Sequence, residues 1–277
     1  MFKVLILQKY HGLSDGATEE QIADRLSFLH FLGLELEDDI PDAKAIWVFK
    51  ERIEESDRGG SRRLFEAFTT TLEKKNLIAR EGCIIDASFT EARRQRNTRS
   101  QNQQIKGGQR PEAFDANKSV GAQRDIGARW IKKNNQSYYG YKNHAKVDLK
   151  SKLIIKSETA AASVHDSQVF KQLLDKKDQA VLADSAYYSE ENEEYVLGVI
   201  DADELLMRKA NRNSPLSEKE IKTNSNISRM RVRVEHVFGR MAHMRADICR
   251  SIGLKRAKSH NHLCNLTIQY GSLRPIG

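Results

Sequence analysis

Two short apolar runs, each closed by an aspartate and small residues, limit the folds that this chain can adopt. The first, CIIDASF, spans residues 83–89 and contains Asp86; the second, QAVLADSAYY, spans residues 179–188 and contains Asp184. A carboxylate at the end of a buried strand is costly unless it is paired or binds a cation. In open α/β sheets, ligands bind at the carboxyl ends of the strands. The runs therefore predict buried strands with a candidate site at their ends, although each aspartate alone is also typical of a turn or an N-cap.

The segments that follow the first run alternate between strand and helix patterns. Residues 138–149 and 152–162 alternate apolar and polar side chains around a short connection, which predicts an antiparallel hairpin. Next come a helix, a buried strand, a helix and a short strand, predicted over 165–177, 179–188, 189–200 and 204–208. After a polar linker around 211–225, a helical stripe predicts a long helix through Met230, Val234, Val237, Phe238, Met241 and Met244. This order predicts an α/β fold in which helices flank a mixed sheet.

The first part of the chain differs from the rest in the spacing of its apolar residues. Residues 1–79 carry apolar stripes at helical spacing, so we predict an all-helical N-terminal region there and a separate α/β domain over 80–277. Residues 91–137 are basic and polar with almost no apolar periodicity, and we predict that they form a long basic loop. The chain has 277 residues, of which 39% are hydrophobic, and this is enough for one or two packed domains.

Positive charge is concentrated in two blocks. Residues 80–150 carry a net charge of +8 and residues 208–258 one of +10, whereas residues 151–207 between them carry −7. Two basic blocks from distant parts of the chain predict a surface for a polyanion such as nucleic acid, although a solvated basic surface has the same composition. The candidate DNA contacts are Arg129, Lys132, Lys133, Lys142, Arg229, Arg231 and Arg233, with His144 in a positioning role near the DNA.

A third carboxylate, Glu235, lies on the predicted long helix. It is one residue from Val234 of the apolar stripe and therefore borders the buried face, with Arg231 one turn earlier on the same side. An ordinary ion pair between Arg231 and Glu235 is the simplest interpretation of that spacing. If the fold instead brings Glu235 to Asp86 and Asp184, the oxygen-rich site suits Mg²⁺ or Mn²⁺. Two such ions support phosphodiester displacement, which would account for the acidic trio and the basic blocks together.

Several motifs in one order now point to a family. IIDASF, YGYKNHAKVD, SVHDSQ, VLADSAY and RVRVEHVFG resemble those of bacterial insertion-sequence transposases of the DDE type, and most closely the IS-five group. The resemblance covers about residues 13–273. It implies a ribonuclease-H-like fold in which Asp86, Asp184 and Glu235 are the catalytic, metal-binding triad. It also implies two divalent ions, hydrolysis at the element ends, and attack of the freed 3′-hydroxyl on target DNA.

The resemblance also implies partners. Terminal inverted repeats and target DNA would be the substrates, and the chain would act on them as a homodimer or a higher oligomer. Three distant cysteines without a paired motif, and a start without signal-peptide features, predict a reducing cytoplasm, where the protein would associate with the bacterial nucleoid. The longest apolar runs are too short to span a membrane.

Two departures from the family pattern are visible. In the signature Tyr-x(2)-Arg-x(3)-Glu-x(6)-Lys, Arg231 and Glu235 match, but Ser228 and Ala242 stand at the Tyr and Lys positions, where Arg240 or His243 could replace the missing cation. Related transposases carry several tens of residues before the segment that aligns with the start of this chain. We therefore expect an N-terminally truncated copy or a misassigned start.

Two other functions stay open at this stage. The first is an inactive DNA-binding remnant of a transposase, which the expected truncation favours and the intact trio of carboxylates disfavours. The second is another ribonuclease-H-like nuclease, such as a junction resolvase. Salt-sensitive DNA binding without cleavage would select the remnant, and a preference for structured DNA without strand transfer would select the nuclease.

Overall fold

The computed structural model describes residues 1–55, 59–133, 135–210 and 215–273. Residues 211–214 of the predicted polar linker and Asn134 of the predicted basic loop lie outside this description. None of the helices in these ranges is long and apolar enough to cross a membrane.

The N-terminal region is helical, as its apolar stripes predict. Its helices are α1 (Phe2–Tyr10), α2 (Asp15–Asp24), α3 (Leu26–Leu32), α4 (Ala43–Glu55) and α5 (Gly60–Lys74). Ser14 caps α2 by accepting a hydrogen bond from the backbone N–H of Ala17. Gly33 ends α3 in the left-handed region, at a φ of 76° that glycine adopts without strain.

A mixed sheet forms the centre of the molecule, as the alternation of strands and helices predicts. The described residues include the strands β1 (Cys83–Ala92), β2 (Arg129–Lys133), β3 (Gln136–Asp148), β4 (Ile154–Ala161), β5 (Ala180–Ala183), β6 (Asp203–Leu206) and β7 (Ile248–Cys249). The main order is β2-β3-β1-β5-β6, with β4 also paired to β3 and β7 to β1. β1 runs antiparallel to β3 but parallel to β5, and β5 is parallel to β6. The fold is thus the mixed α/β arrangement expected of a ribonuclease-H-like domain.

The prediction of one long loop over 91–137 is wrong. Strand β1 continues to Ala92, and the segment then contains α6 (Arg99–Lys106), α7 (Glu112–Ala116), α8 (Lys118–Ala122), β2 and the start of β3. The segment is ordered by polar contacts that apolar periodicity does not reveal. The buried carboxylate of Asp125 accepts hydrogen bonds from the hydroxyl of Tyr141 and from the backbone N–H groups of Gly127, Ala128 and Gly253.

Helices cover both faces of the sheet. They are α9 (Ser167–Leu173), α10 (Glu190–Tyr195), which continues as a π-helical turn (Val196–Ile200), α11 (Glu218–His243) and α12 (Leu254–Leu273). Helix α11 begins at a capping box of Ser217 and Glu220, inside the predicted linker. The predicted order of strand, hairpin, helix, strand, helix, strand and long helix is confirmed, whereas β7 and α12 were not predicted.

Alternate residues of β1 enter two different cores because successive strand side chains point to opposite faces. Ile84 packs in a core with residues of α1, α3, α11 and α12, whereas Ile85 packs in a second core with residues of α9 and the π-helical turn. The N-terminal helices therefore share a core with the sheet. Because Val234 is buried in the first core, α11 is held across the sheet where β1 and β5 lie side by side.

Candidate active site

Asp86 and Asp184 lie at the same place on neighbouring parallel strands. Ile85 of β1 pairs with Ala183 of β5, so the two aspartates are the next residues on each strand. Each carboxylate is anchored locally, since Asp86 Oδ1 accepts a hydrogen bond from the N–H of Ala87 at 2.8 Å. Asp184 Oδ1 accepts one from the N–H of Ser185 at 2.6 Å. Both residues are half-buried, and their carboxylates meet where β5 ends beside the interior of β1, because β1 continues past Asp86 to Ala92.

The guanidinium of Arg231 reaches both carboxylates from helix α11. Its Nη2 donates a hydrogen bond to Asp86 Oδ2 at 2.6 Å, and its Nη1 lies 3.9 Å from Asp184 Oδ1. Nη1 is also 3.4 Å from the sulfur of Met207, just after β6. The side chain of Arg231 is 15% exposed, so this cation is held largely out of water between the two acidic groups.

Burial and charge act against each other at Asp86. Burial is the larger influence and raises the pKa of its carboxyl group, and the negative charge of Asp184 acts in the same direction. The guanidinium of Arg231 and the N–H of Ala87 oppose this rise because they stabilise the ionised form. The cation beside Asp86 therefore lowers the free-energy cost of burying its carboxylate.

Glu235 does not join this cluster. Its side chain is exposed on α11, and it makes no hydrogen bond or ion pair within the described ranges. The ion pair between Arg231 and Glu235 that helical spacing suggests is wrong, because Arg231 turns toward the sheet instead. The reason lies in the rotation of the helix: Val234 and Val237 face the core, which leaves Glu235 on the solvent side.

The donor chemistry of the two aspartates suits a divalent metal ion, but the surrounding side chains do not complete a set of ligands. Asp86 and Asp184 supply hard oxygen ligands of the kind that Mg²⁺ and Mn²⁺ prefer. However, the guanidinium of Arg231 occupies the space beside them, and Glu235 lies outside. Among the residues that the structure describes, no three His, Cys, Asp or Glu side chains are close enough together to hold a metal ion.

Four of the predicted DNA contacts are exposed. Lys132 and Lys133 lie on β2, and Arg229 and Arg233 lie on α11. The Nζ of Lys133 lies 5.8 Å from the ring centroid of Phe89, which itself stacks on Tyr138 at 4.4 Å. The two lysines and this ring pair present positive charge and aromatic surface on β1, β2 and β3.

Arg129 is only partly exposed. Its guanidinium donates to backbone carbonyls of Ile105, Ile126 and Ala128, so its charge is used to hold the segment before β2.

Lys142 and His144 are buried in β3, where they hold neighbouring elements. Lys142 Nζ donates to Asp166 at 2.7 Å, just before α9. His144 Nδ1 is 3.0 Å from the hydroxyl of Tyr187, and burial lowers the pKa of this histidine to about 4. Both side chains are buried, so this arrangement does not support the prediction that Lys142 and His144 lie at the DNA.

Sequence reasoning missed two neighbours of the aspartates. Tyr187 lies in the turn after Asp184, and its pKa is raised by burial and then by the negative charges of Asp166, Asp86 and Asp184. Met207 touches Arg231 through its sulfur. The only sequence signal for either is its distance from a strand end: Tyr187 comes three residues after Asp184, and Met207 directly follows β6.

Two family models match the chain. Residues 78–269, more than half of the chain, match the transposase DDE domain, and residues 1–52 match the transposase domain called DUF772. The first match contains both aspartates, Arg231 and Glu235, and the second covers α1 to α3 and most of α4. No solved structure matches the chain.

Proposed function

Because the chain belongs to the transposase DDE domain family, and is therefore a DNA transposase of the polynucleotidyl-transferase type, we propose the specific reaction that it performs. It hydrolyses DNA at the ends of an insertion sequence and then joins the freed 3′-hydroxyl to target DNA. The observation that carries this proposal is the pair of aspartates, Asp86 within β1 and Asp184 directly after the parallel neighbour β5, with the guanidinium of Arg231 beside both. We also propose that it belongs to the IS-five group, and the motifs IIDASF, VLADSAY and RVRVEHVFG support this proposal.

The proposed catalytic residues are Asp86, Asp184 and Glu235. Transposases of this family generally use divalent metal ions, and we propose Mg²⁺ or Mn²⁺, two per site, with these three carboxylates as ligands. When bound, such ions supply charge stabilisation and an activated nucleophile for phosphodiester displacement. Glu235 lies one helical turn after Arg231 on α11 and is exposed, so its proposed role as the third ligand requires a rearrangement that brings it to the two aspartates.

The proposed DNA surface consists of exposed cations around these carboxylates. Lys132 and Lys133 on β2, and Arg229 and Arg233 on α11, would contact phosphates. Arg129 would support them by holding the segment before β2. The ligands of this surface would be the terminal inverted repeats and the target DNA, bound by a homodimer or a higher oligomer at the bacterial nucleoid.

We also propose that the two parts of the chain have different roles. The helical part over 1–79 would contribute to recognition of the ends and to dimerisation, and the part over 80–277 would carry the chemistry. The two family matches, over 1–52 and 78–269, support a boundary near residue 79. The core that these parts share predicts that they move together on DNA.

A second candidate is a DNA-binding remnant that no longer cuts. The observation that favours it is the exposed position of Glu235, away from the two aspartates. Such a protein would keep the basic surface and bind DNA with strong salt dependence but would leave it intact in Mg²⁺ or Mn²⁺.

The test is strand cleavage and strand transfer on DNA that carries the flanks of the gene, with Mg²⁺ or Mn²⁺. We expect wild-type activity to fall about 100-fold or more in Asp184→Asn, because metal-held charge stabilisation contributes several kcal/mol and about 1.4 kcal/mol is tenfold in rate. The matched control is Asp203→Asn, which removes an exposed carboxylate from the neighbouring strand β6. Full activity of Asp184→Asn would contradict the triad, and DNA binding by the wild type without cleavage would select the remnant.

A further inference from the structure

A cavity of about 490 Å³ lies between the N-terminal helices and the last elements of the chain. Its walls come from α1, α2 and α4 on one side, and from the turn after α11, β7 and α12 on the other. The lining that the structure describes includes neither Asp86 nor Asp184. The volume lies within the range of ligand pockets, about 300–1,000 Å³. The cavity is therefore a candidate binding site that the proposed cleavage reaction does not use.

One wall of the cavity is an exposed aromatic side chain. Trp47 on α4 lines the cavity and is 51% exposed, whereas its neighbour Ile46 is fully buried in the core. The rotation of α4 that buries Ile46 thus leaves the indole of Trp47 at the cavity. An indole stacks on other planar rings, and it accepts any nucleobase because every base has a π-face. Trp47 therefore suits a ligand that contains a planar ring.

The acidic groups of the lining are already neutralised by protein cations. The Nζ of Lys50 lies 2.5 Å from Asp15 Oδ1. The guanidinium of Arg256 lies 2.8 Å from Glu51 Oε2 and 3.7 Å from Glu54 Oε2. These pairs hold α4 to α2 and to α12, and they leave little negative charge to repel an anionic ligand.

Three further cations line the cavity without an acidic partner. They are Lys9 on α1, Arg245 after α11 and Arg250 after β7, and among the described residues none of them has a carboxylate within 4.0 Å. Burial, together with the positive charges of Lys9, Lys50 and Arg250, lowers the pKa of His260 in this lining to about 3. The positive charges of the lining therefore act together at the inner wall, where an anion would be attracted.

Lys9 is only partly satisfied at this wall. Its Nζ lies 3.0 Å from Nδ1 of His260, while Nε2 of the same imidazole donates to the carbonyl of Ala246 at 3.0 Å. The ammonium has three N–H donors and gives one of them to this neutral ring. The other two have no partner among the described residues, although Lys9 is half-buried. These donors suit the oxygens of a phosphate.

We propose that this cavity binds a nucleotide, with the base stacked on Trp47 and the phosphate among Lys9, Arg245 and Arg250. A planar ring joined to an anionic group is the ligand that uses both the indole and the unpaired cations. The nucleotide is either free or an unpaired unit of a DNA strand, because a base that stays stacked in a duplex cannot enter a pocket. The site goes beyond the proposed function and does not require Asp86 or Asp184.

Fluorescence titration with dAMP measures binding at this site. The chain has two tryptophans, Trp47 and Trp130, so Trp130→Phe leaves Trp47 as the only reporter. We expect saturable quenching by dAMP, and about 5-fold or more weaker binding of deoxyadenosine, which lacks the phosphate. Inorganic phosphate should compete with dAMP without quenching. Absence of saturable quenching by dAMP would overturn the site.

Variants of the lining separate the contribution of the cations from that of the ring. In the Trp130→Phe background, Arg250→Gln should weaken dAMP binding about 5-fold or more, because it removes an unpaired cation. The matched control is Lys44→Gln, which removes an exposed charge from α4 outside the described lining and should leave the affinity unchanged. Equal affinities in these two variants would contradict the phosphate position.

Equilibrium dialysis with radiolabelled dAMP tests the ring without relying on its fluorescence. We expect Trp47→Leu to bind dAMP about 5- to 150-fold more weakly than wild type, since stacking of a base on an aromatic side chain contributes that much. Trp130→Phe is the control and should bind as wild type does. Unchanged binding in Trp47→Leu would remove the stacked base from the proposal.

Competition against dAMP identifies the source of the nucleotide. Displacement by a single-stranded oligonucleotide would assign the site to an unpaired nucleotide of DNA, and displacement by free nucleotides alone would assign it to a free one. A relaxed circular duplex should not displace dAMP, and equal displacement by duplex and single strand would overturn the pocket in favour of a general polyanion surface. Because dAMP binding needs no cleavage, its absence in a chain that still performs strand transfer would leave the proposed function standing.

Discussion

Arg231 and Asp86 are 145 residues apart in the chain, yet the guanidinium of one donates a hydrogen bond of 2.6 Å to the carboxylate of the other. The two side chains are 15% and 21% exposed, so water screens their attraction only weakly. The contact joins helix α11 to strand β1, and it is therefore a structural link as well as a part of the candidate active site.

A double-mutant cycle should measure the strength of this link. We expect the free energies of unfolding of Arg231→Ala, Asp86→Ala and the double variant to give a coupling of about 1–3 kcal/mol, because the residues touch and are mostly buried. Urea unfolding in a metal chelator measures these free energies without interference from metal ions. Additive effects within about 0.5 kcal/mol would mean that the contact contributes nothing to stability.

The ion network around the buried Lys146 is expected to contribute more to the free energy of unfolding than the Arg231–Asp86 contact does. The Nζ of Lys146 is fully buried and donates to Asp175 and to both oxygens of Asp178, whose side chain is 1% exposed. Lys146→Met leaves Asp178 without this cation, and we expect a loss of about 3–5 kcal/mol. Urea unfolding of Lys146→Met and of the exposed control Lys176→Met checks this, and equal stability of the two variants would contradict it.

The fold class could be predicted because the patterns that define it are local. Two apolar runs closed by aspartates, a hairpin and a long apolar stripe give the order of strands and helices, and the structure has that order. The meeting of Asp86 and Asp184 follows from the parallel pairing of β1 with β5, which sets equivalent residues of the two apolar runs side by side, although β1 continues beyond Asp86.

The partner of Arg231 could not be predicted in the same way. Helical spacing identifies Glu235 as a neighbour on the same helix, but the rotation of α11 against the sheet is set by long-range packing of Val234 and Val237. The helices and strands within residues 91–137 could not be predicted for a similar reason. Their arrangement depends on the carboxylate of Asp125, which accepts a hydrogen bond from the N–H of Gly253, 128 residues away in the chain.

The role of Asp125 can be tested directly. Asp125→Ala would leave the hydroxyl of Tyr141 and three backbone N–H groups without their acceptor, and we expect a loss of about 2–4 kcal/mol. Hydrogen exchange should speed up at Gly127, Ala128 and Gly253. The control is Asp115→Ala in the same segment, because its side chain is 67% exposed. Unchanged exchange at the three amides in Asp125→Ala would show that other contacts order the segment.

Two buried histidines predict that the fold weakens in mild acid. Burial, with nearby positive charge, lowers the pKa of His260 to about 3 and that of His262 to about 4, from an ordinary value of 6.5. As the pH falls below about 6.5, these histidines become protonated in the unfolded chain but stay neutral in the folded chain. The free energy of unfolding therefore decreases as the pH falls, and the decrease ends near the pKa of each histidine in the folded state. At pH 5 each histidine should cost about 2 kcal/mol relative to pH 8.

Comparison of His260→Gln with His236→Gln isolates this effect. His260 donates through Nε2 to the carbonyl of Ala246, and Lys9 lies at its Nδ1, so a neutral glutamine keeps a donor and loses only the titration. His236 is exposed on α11. Urea unfolding between pH 8 and pH 5 should show a pH dependence about 2 kcal/mol smaller in His260→Gln and unchanged in His236→Gln. Identical pH dependence in both variants would contradict the buried neutral state of His260.

The salt dependence of DNA binding should separate surface cations from buried ones. Each phosphate contact contributes about 0.9 to the slope of the logarithm of affinity against the logarithm of salt concentration. We expect Lys132→Gln with Lys133→Gln to reduce the slope by about 2, because both side chains are exposed on β2. Lys142→Gln should lower stability and leave the slope unchanged, because its ammonium is buried against Asp166. A slope that falls in Lys142→Gln but not in the double variant would mean that Lys142, and not the two lysines of β2, contacts the DNA.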